Sequence, residues 1–266
     1  KIVKSEFVHL HNHSDYSLLD GAQRIDQLVN TIDDLNMDSV ALTEHGNMFS
    51  VVPYYKKAKK AGIKPIIGCE IYVSTGSRFD KNKSPDGGWG NNHLILLAQN
   101  FAGYKNLMKL VTAGYLEGFY YRPRIDMELL QKYSEGLICL SGCLKGEVPE
   151  KMLRGDYNGA RQTAIKFSEI FENRYYLEIQ NHGIPEEEAN IKNMKKLSTD
   201  LELPLVCTND AHYSKKGHWE AHDIHICLGT GKERSDPKRL RYATPEFYFK
   251  TQDEMYHLFK EFPQAL

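Results

Sequence analysis

Seven short apolar runs recur along the chain, each followed by a polar turn. They are FVHLHNH (7–13), SVALTEH (39–45), KPIIGCEIYV (64–73), HLILLAQN (93–100), GLICLSGC (136–143), RYYLEIQNH (174–182) and LPLVCTND (203–210). Between them the apolar positions take helical spacing, over 24–36, 52–62, 104–118 and 159–173. Runs this short and this uniformly apolar read as strands buried on both faces. Their alternation with helices predicts a parallel sheet covered by helices, either an open doubly wound sheet or a barrel. Gly62, just before the third run, is a natural helix stop.

Three segments break this rhythm. Residues 75–92 are polar and rich in Gly and Asn, and read as a long, mobile loop. Residues 229–242 are basic and turn-rich. The tail, 243–266, opens with a turn and starts a helix from about Asp253. The expected organisation is one domain over 1–242, with 243–266 as the start of a following region.

In parallel α/β folds the chemistry collects at the carboxyl ends of the strands. Here those ends carry His11, His13, His45, Glu70, Cys143, His182, Asp210 and His212, while His93 opens the fourth run instead. Imidazole, carboxylate and thiolate all bind zinc, and the first two also suit manganese or iron. A His-x-His pair on a strand presents two imidazoles on one face. Alone, such a pair is more simply a polar pair at a strand edge. Joined by TEHG (43–46), GCE (68–70) and NDAH (209–212), it points to a metal site. His9 alternates with His11 and His13 but lies roughly 7 Å further down the strand. It is expected to be a hydrogen-bonded residue of the core or the barrel interior.

Composition narrows the picture. The chain has 266 residues, 41% hydrophobic and 26% charged, with a net charge of −1. That balance argues against a wide basic grip on nucleic acid, but not against an enzyme handling one phosphodiester at a metal centre. The five cysteines are odd in number and form no CxxC pair, so neither a disulfide framework nor a zinc ribbon is indicated. A reducing, cytoplasmic setting follows. No apolar run approaches the roughly 20 residues of a membrane helix, so no membrane partner is expected. Neither GxGxxG nor a P-loop occurs, which removes support for nucleotide-cradling folds.

The ordered set HLHNHS…SLLDG, LTEHG, GCEIY, NHLILLA, SGC and TNDAHY resembles the PHP (polymerase and histidinol phosphatase) superfamily. SLLDGA, GYLEGFYYRPRID and TPEFYFKTQDEM are similar to its polymerase branch, the amino-terminal domain of bacterial replicative DNA polymerase III alpha subunits. The resemblance covers essentially the whole chain. It implies a distorted seven-stranded (β/α)7 barrel with the site at the carboxyl ends of the strands.

It also implies two or three divalent metal ions, zinc, manganese or iron, on nine ligands. Those positions are filled here by His11, His13, Asp20, His45, Glu70, His93, Cys143, Asp210 and His212. His11, His13, Glu70 and Asp210 would serve one metal and carry catalysis. Glu70 would bridge to a second held by His93 and Cys143, and Asp20, His45 and His212 would hold the third. The resemblance, rather than spacing, recruits Asp20, His93 and Cys143. Read alone, Cys143 also reads as a buried thiol like Cys139, from which its place at the strand end separates it, and Asp20 as a helix cap ahead of Gly21. Glu44 would stand behind the ligands.

The implied activity is a metal-dependent phosphoesterase acting as a 3′–5′ proofreading exonuclease through metal-activated water. Its partners would be a DNA 3′ end, the rest of a polymerase chain and other replisome subunits. Two alternatives differ in kind. One is a structural, metal-stabilised domain that supports the polymerase and docks subunits; the other is a free phosphatase for a small phosphomonoester. His182, Arg122 and Arg124 are candidate phosphate contacts, although a structural role explains each equally well.

Overall fold

The computed structural model describes residues 5–82 and 90–266. Its strands are β1 (Ser39–Leu42), β2 (Lys64–Ser74), β3 (Asn91–Ala98), β4 (Arg124–Ile125), β5 (Leu137–Leu140), β6 (Tyr175–Ile179) and β7 (Leu205–Cys207). Its helices are α1 (Ile25–Asp34), α2 (Val51–Lys60), α3 (Phe101–Leu116), α4 (Met127–Tyr133), α5 (Glu147–Leu153), α6 (Tyr157–Phe171), α7 (Pro185–Leu201), α8 (Trp219–Thr230) and α9 (Gln252–Leu258). The sheet runs β1-β2-β3-β5-β6-β7, with the short β4 pairing β2 off this path.

The extended segment 7–13 joins the two edges of that sheet. The amides of Ala41 and Thr43 donate to His9 O and Asn12 O at 2.8 and 2.9 Å, and the His13 amide donates to Ala211 O at 2.9 Å. Asn12 also bridges Ala211 in parallel. The result is a distorted (β/α)7 barrel. Residues from every one of its seven segments meet in one interior cluster: Leu10, Ala41, Ile66, Ile95 with Leu97, Ile138 with Leu140, Tyr176 and Val206. Their sequence neighbours Val40, Leu42, Leu94, Leu96, Leu137, Cys139, Leu177 and Ile179 face outward into the main core beneath the helices. This is the period-two alternation of strands buried on both faces.

One sequence expectation is corrected. The sheet is not wholly parallel, because β3 is antiparallel to both β2 and β5. Among the described residues no helix lies between β2 and β3, and a strand reached without a helical crossover returns antiparallel. The reversal sets His93 opposite Tyr72, near the end of β2. His93 thus opens its own strand yet lies at the carboxyl end of its neighbours. The expected loop over 75–92 overlaps this connection, but its last two residues already belong to β3, and its residues 83–89 lie outside the described residues.

The segment after residue 242 folds back on the barrel. Tyr248 bridges Tyr213, and the His212 amide donates to Phe247 O at 2.8 Å. Thr251 and Glu254 cap α9 reciprocally. Phe249, Met255, Phe259 and Ala265 join the main core.

Candidate metal centre

The first histidines divide where the chain bends at His11. Leu10, rather than His9, belongs to the barrel interior. His9 points outward between the rings of Phe7 and Phe249, with centroids 4.9 and 5.0 Å away, and its Nε2 donates to Lys250 O at 2.9 Å. Burial lowers its pKa to about 4. His11 and His13 turn into the mouth of the barrel. Asp20 follows on a tight loop in which the Gly21 amide donates to Ser17 O at 2.8 Å. A Cβ at Gly21 would lie 1.7 Å from Ser14 O, so only glycine closes this loop. Helix α1 takes Arg24 at its N-cap position, so Asp20 is not a cap.

Glu70 is the hub. Its Oε2 lies 2.6 Å from His45 Nδ1, 3.2 Å from His13 Nε2 and 3.6 Å from His11 Nε2, and its Oε1 meets His93 Nδ1. Asp210 Oδ1 lies 3.2 Å from Nε2 of both His11 and His13, and 3.5 Å from His212 Nδ1. Asp20 Oδ1 lies 3.2 Å from His45 Nε2, and its Oδ2 lies 4.0 Å from His212 Nε2. Three triads bring their ligand atoms within 4.8 Å of one another: His11, His13 and Glu70; His45, Glu70 and His93; and His13, His45 and His212. The structure therefore gathers eight of the nine expected ligands by direct contact. Cys143 sits just beyond β5, near enough to Glu70 and Asp210 that burial and their charges push its thiol well above the ordinary range. It belongs to none of the triads.

These residues fit a cation. Among the described residues, His11 Nε2, His13 Nε2, His45 Nδ1, His93 Nδ1, both Glu70 oxygens, and Oδ1 of Asp20 and of Asp210 are buried without a hydrogen-bond partner. Orphaned donors and acceptors that converge in one place are what a bound ion completes. Burial works against the charges of His11, His45, Glu70, Asp20 and Asp210, but their charged neighbours override it. Asp210 and Glu178 raise His11, and Asp20 and Glu70 raise His45. His93 and His45 hold Glu70 low, His45 holds Asp20 low, and His11 holds Asp210 low. For His212 burial prevails and lowers its pKa to about 3. The raised imidazoles of His11 and His45 hold protons that a cation would displace, since deprotonated carboxylates and neutral imidazoles are the ligand forms.

The tautomers are set from behind. Glu178 Oε1 lies 2.7 Å from His11 Nδ1 and also accepts from Gln180 Nε2 at 3.1 Å and from Thr208 Oγ1. Nδ1 must then carry the proton, which bares Nε2 toward Asp210 and Glu70. The Ser17 hydroxyl donates to Glu44 Oε2 at 2.6 Å, so it accepts from His13 Nδ1 at 3.0 Å and bares Nε2 in the same way. Glu44 is thus a support of the ligands, two bonds removed from the centre. His212 Nδ1 donates to Asp210 O at 2.8 Å.

Glu178 and Tyr242 escaped the sequence reading. The Tyr242 hydroxyl lies 2.8 Å from His212 Nε2 and 3.3 Å from Asp20 Oδ2. Burial and the nearby carboxylates push its pKa well up, so it stays a donor. Alternation of Glu178 with Gln180 and His182, from the end of β6 into the segment beyond it, is the available signal for Glu178. Tyr242 ends the basic segment and carried no signal.

Two candidate phosphate contacts are corrected. His182 is buried, with Nδ1 2.6 Å from Glu187 Oε1, Nε2 2.7 Å from Asn209 O and its ring stacked on Phe247, so neither nitrogen remains for a substrate. The Arg124 guanidinium is buried and donates to the carbonyls of Gly118, Arg78 and Asp80. Arg122 is exposed at the rim, 5.7 Å from the Tyr72 ring centroid, and that ring is 5.1 Å from His93.

The sequence pattern of the PHP domain matches residues 9–182. The chain is 49% identical over 263 residues to the DNA polymerase III subunit alpha of Borreliella burgdorferi, covering 99% of this chain and 23% of that protein. It is 46% identical over 266 residues to the DNA polymerase III subunit alpha of Treponema pallidum, covering 100% of this chain and 23% of that protein. The chain thus spans less than a quarter of the length of these relatives. Among solved structures it is similar to an amidohydrolase from Chromobacterium violaceum, with 13% identity and a TM-score of 0.47, over 77% of this chain and 87% of the other.

Proposed function

The chain belongs to the PHP domain family, and we propose on that premise that its buried cluster is a phosphodiesterase centre holding two or three divalent cations. The supporting observation is the convergence of unpartnered ligand atoms from His11, His13, Asp20, His45, Glu70, His93 and Asp210. His11, His13, Glu70 and Asp210 form the catalytic core. Glu70 faces both His93 and His45, as a bridging carboxylate would. Asp20, His45 and His212 provide a further position, and Cys143 completes the His93 side. Zinc, manganese or iron held there would supply charge neutralisation at phosphorus and a hydroxide nucleophile near neutral pH.

The protein's own groups orient and protect. Glu178 and the Ser17–Glu44 pair fix the ligand tautomers of His11 and His13. Tyr242 keeps its proton and its hydroxyl donates a hydrogen bond to His212 Nε2. Arg122 stands at the rim, where a second phosphate of a strand would pass. No side chain is assigned as a covalent nucleophile.

The likeness to DNA polymerase III alpha subunits supports a place within such a subunit, in the cytoplasm, beside the rest of a polymerase chain and its replisome partners. The substrate would then be the 3′ end of DNA, removed as in proofreading. A structural, metal-stabilised domain is the second reading. It is favoured by one observation: the ligands come from segment 7–13 and the loop after it, from beyond β1, from within β2, from the start of β3 and from beyond β7, so an ion would also clamp the barrel.

The test compares the chain with Asp210→Asn in hydrolysis of a 3′-labelled single strand, a mismatched duplex and a small phosphomonoester. Asp210 has φ +47, a conformation that asparagine tolerates, so the variant keeps the backbone. Nuclease activity that the variant lacks supports the proposal. No hydrolysis with any metal, together with a large loss of melting temperature on chelation, favours the structural reading.

A further inference from the structure

Three aromatic rings stand in water along one rim of the metal centre. Phe49 is 56% exposed, Tyr115 38% and Phe119 49%. They form a row: the centroids of Phe49 and Tyr115 are 6.1 Å apart, and those of Tyr115 and Phe119 are 6.2 Å apart, with planes inclined by 41° and 27°. Single exposed aromatics need no explanation, but a contiguous patch marks an interaction site.

The row is continuous with the centre. Phe49 follows His45 on a loop pinned by Asn47, whose Nδ2 donates to His45 O and whose Oδ1 accepts from the Phe49 amide, both at 3.1 Å. Gly46, at φ +63, lets that loop close on the opposite wall. A Cβ there would lie 2.8 Å from the Tyr72 ring and 2.9 Å from Pro123. Tyr72 in turn touches His93, and Arg122 lies over Tyr72. The one carboxylate carried between Tyr115 and Phe119, that of Glu117, accepts from Arg78 Nε at 2.6 Å and is neutralised there.

We infer that Phe49, Tyr115 and Phe119, with Arg122, form a stacking track for the unpaired bases of a single nucleic-acid strand whose end enters the metal centre. Every base offers a π-face, so such a track is sequence-tolerant, while a guanidinium beside it holds a phosphate. A duplex cannot use it, because its bases already stack on one another. The net charge of −1 fits a track that relies on stacking more than on a basic surface. The inference rests on the phosphodiesterase reading and adds the strandedness of its substrate.

The experiment titrates the purified chain with oligothymidylate at low salt. In Phe119→Trp, stacking should quench the introduced fluorescence beyond any change seen with the native Trp89 and Trp219. Tyr115→Ser and Arg122→Ala should each weaken binding of a 3′-labelled oligothymidylate by about tenfold, with circular dichroism melting confirming the fold. Absence of quenching, equal affinity for a duplex of the same length, or variants that bind like the parent would overturn the track and leave the row as a protein-docking surface. Hydrolysis of bis(p-nitrophenyl) phosphate by the parent chain is read separately. Its absence strikes the phosphodiesterase reading, while the titrations still decide the track.

Discussion

Glu178 Oε1 lies 2.7 Å from His11 Nδ1, and both side chains are fully buried. A carboxylate behind an imidazole fixes which nitrogen is bare and raises the basicity of the ligand. Glu178→Gln brings an amide into a place already filled by the Gln180 and Thr208 donors. Cation affinity is expected to fall by about tenfold or more, within the range for such supporting groups. Competition with a fluorescent chelator measures it. Unchanged affinity would show that His11 needs no support.

His9 makes a prediction for stability against pH. Burial lowers its folded pKa to about 4, from the ordinary histidine value of about 6.5. The unfolded chain therefore takes up the proton first as pH falls. The stabilisation is complete above the unfolded value and is lost as pH drops from about 6.5 toward 4. Between about pH 7.5 and about pH 5 the loss should be on the order of 2 kcal/mol. Urea unfolding at both pH values reads it. In His9→Gln the part of the pH dependence due to this residue should vanish; a slope equal to that of the parent would refute the assignment.

What could be read from the sequence, and what could not, follows from how far each signal reaches. Apolar runs report burial, and all seven barrel segments were legible that way. Burial carries no direction, so the reversal of β3 was hidden, although the absence of a helical pattern before His93 was a visible hint. Helix α8 exposes Ile224 and Leu228 while burying Ile226 and Cys227, so no clean stripe announced it. Eight metal candidates come together because each lies beside a strand end or on a loop, or, like Glu70, within β2 past the point where β1 stops. His9 faces away because the chain bends at His11, which alternation assumes it does not. Arg122 and Arg124 are two residues apart and look alike in sequence, yet one is wet and the other is tied to three carbonyls. Tyr242 reaches His212 and Asp20 across the fold from a segment whose local pattern reads only as basic.

Chelation should cost stability as well as any activity. The candidate ligands join distant parts of the chain, so an ion bound to the folded form stabilises it by mass action. Free ion at about a hundred times its dissociation constant contributes about 2.7 kcal/mol, or a shift of roughly 5–10 °C for a chain of this size. Differential scanning calorimetry with added manganese or zinc, and then with a chelator, checks this. Coincident melting curves would remove the metal centre from consideration.

Tyr242 donates to the nitrogen and approaches the carboxylate that a third cation would need, 2.8 Å from His212 Nε2 and 3.3 Å from Asp20 Oδ2. His212 Nδ1 is already committed to Asp210 O, so Nε2 is the only lone pair the ring can offer. A hydroxyl on that lone pair competes with an ion for it. Tyr242→Phe removes a hydrogen bond worth about 1 kcal/mol and leaves Asp20, His45 and His212 in place. The weakest cation site should then tighten by roughly fivefold, the factor that energy corresponds to, while the sites centred on Glu70 keep their affinity. Isothermal titration with manganese separates the classes of site. Weaker binding at the last site would show instead that the hydroxyl supports the ion.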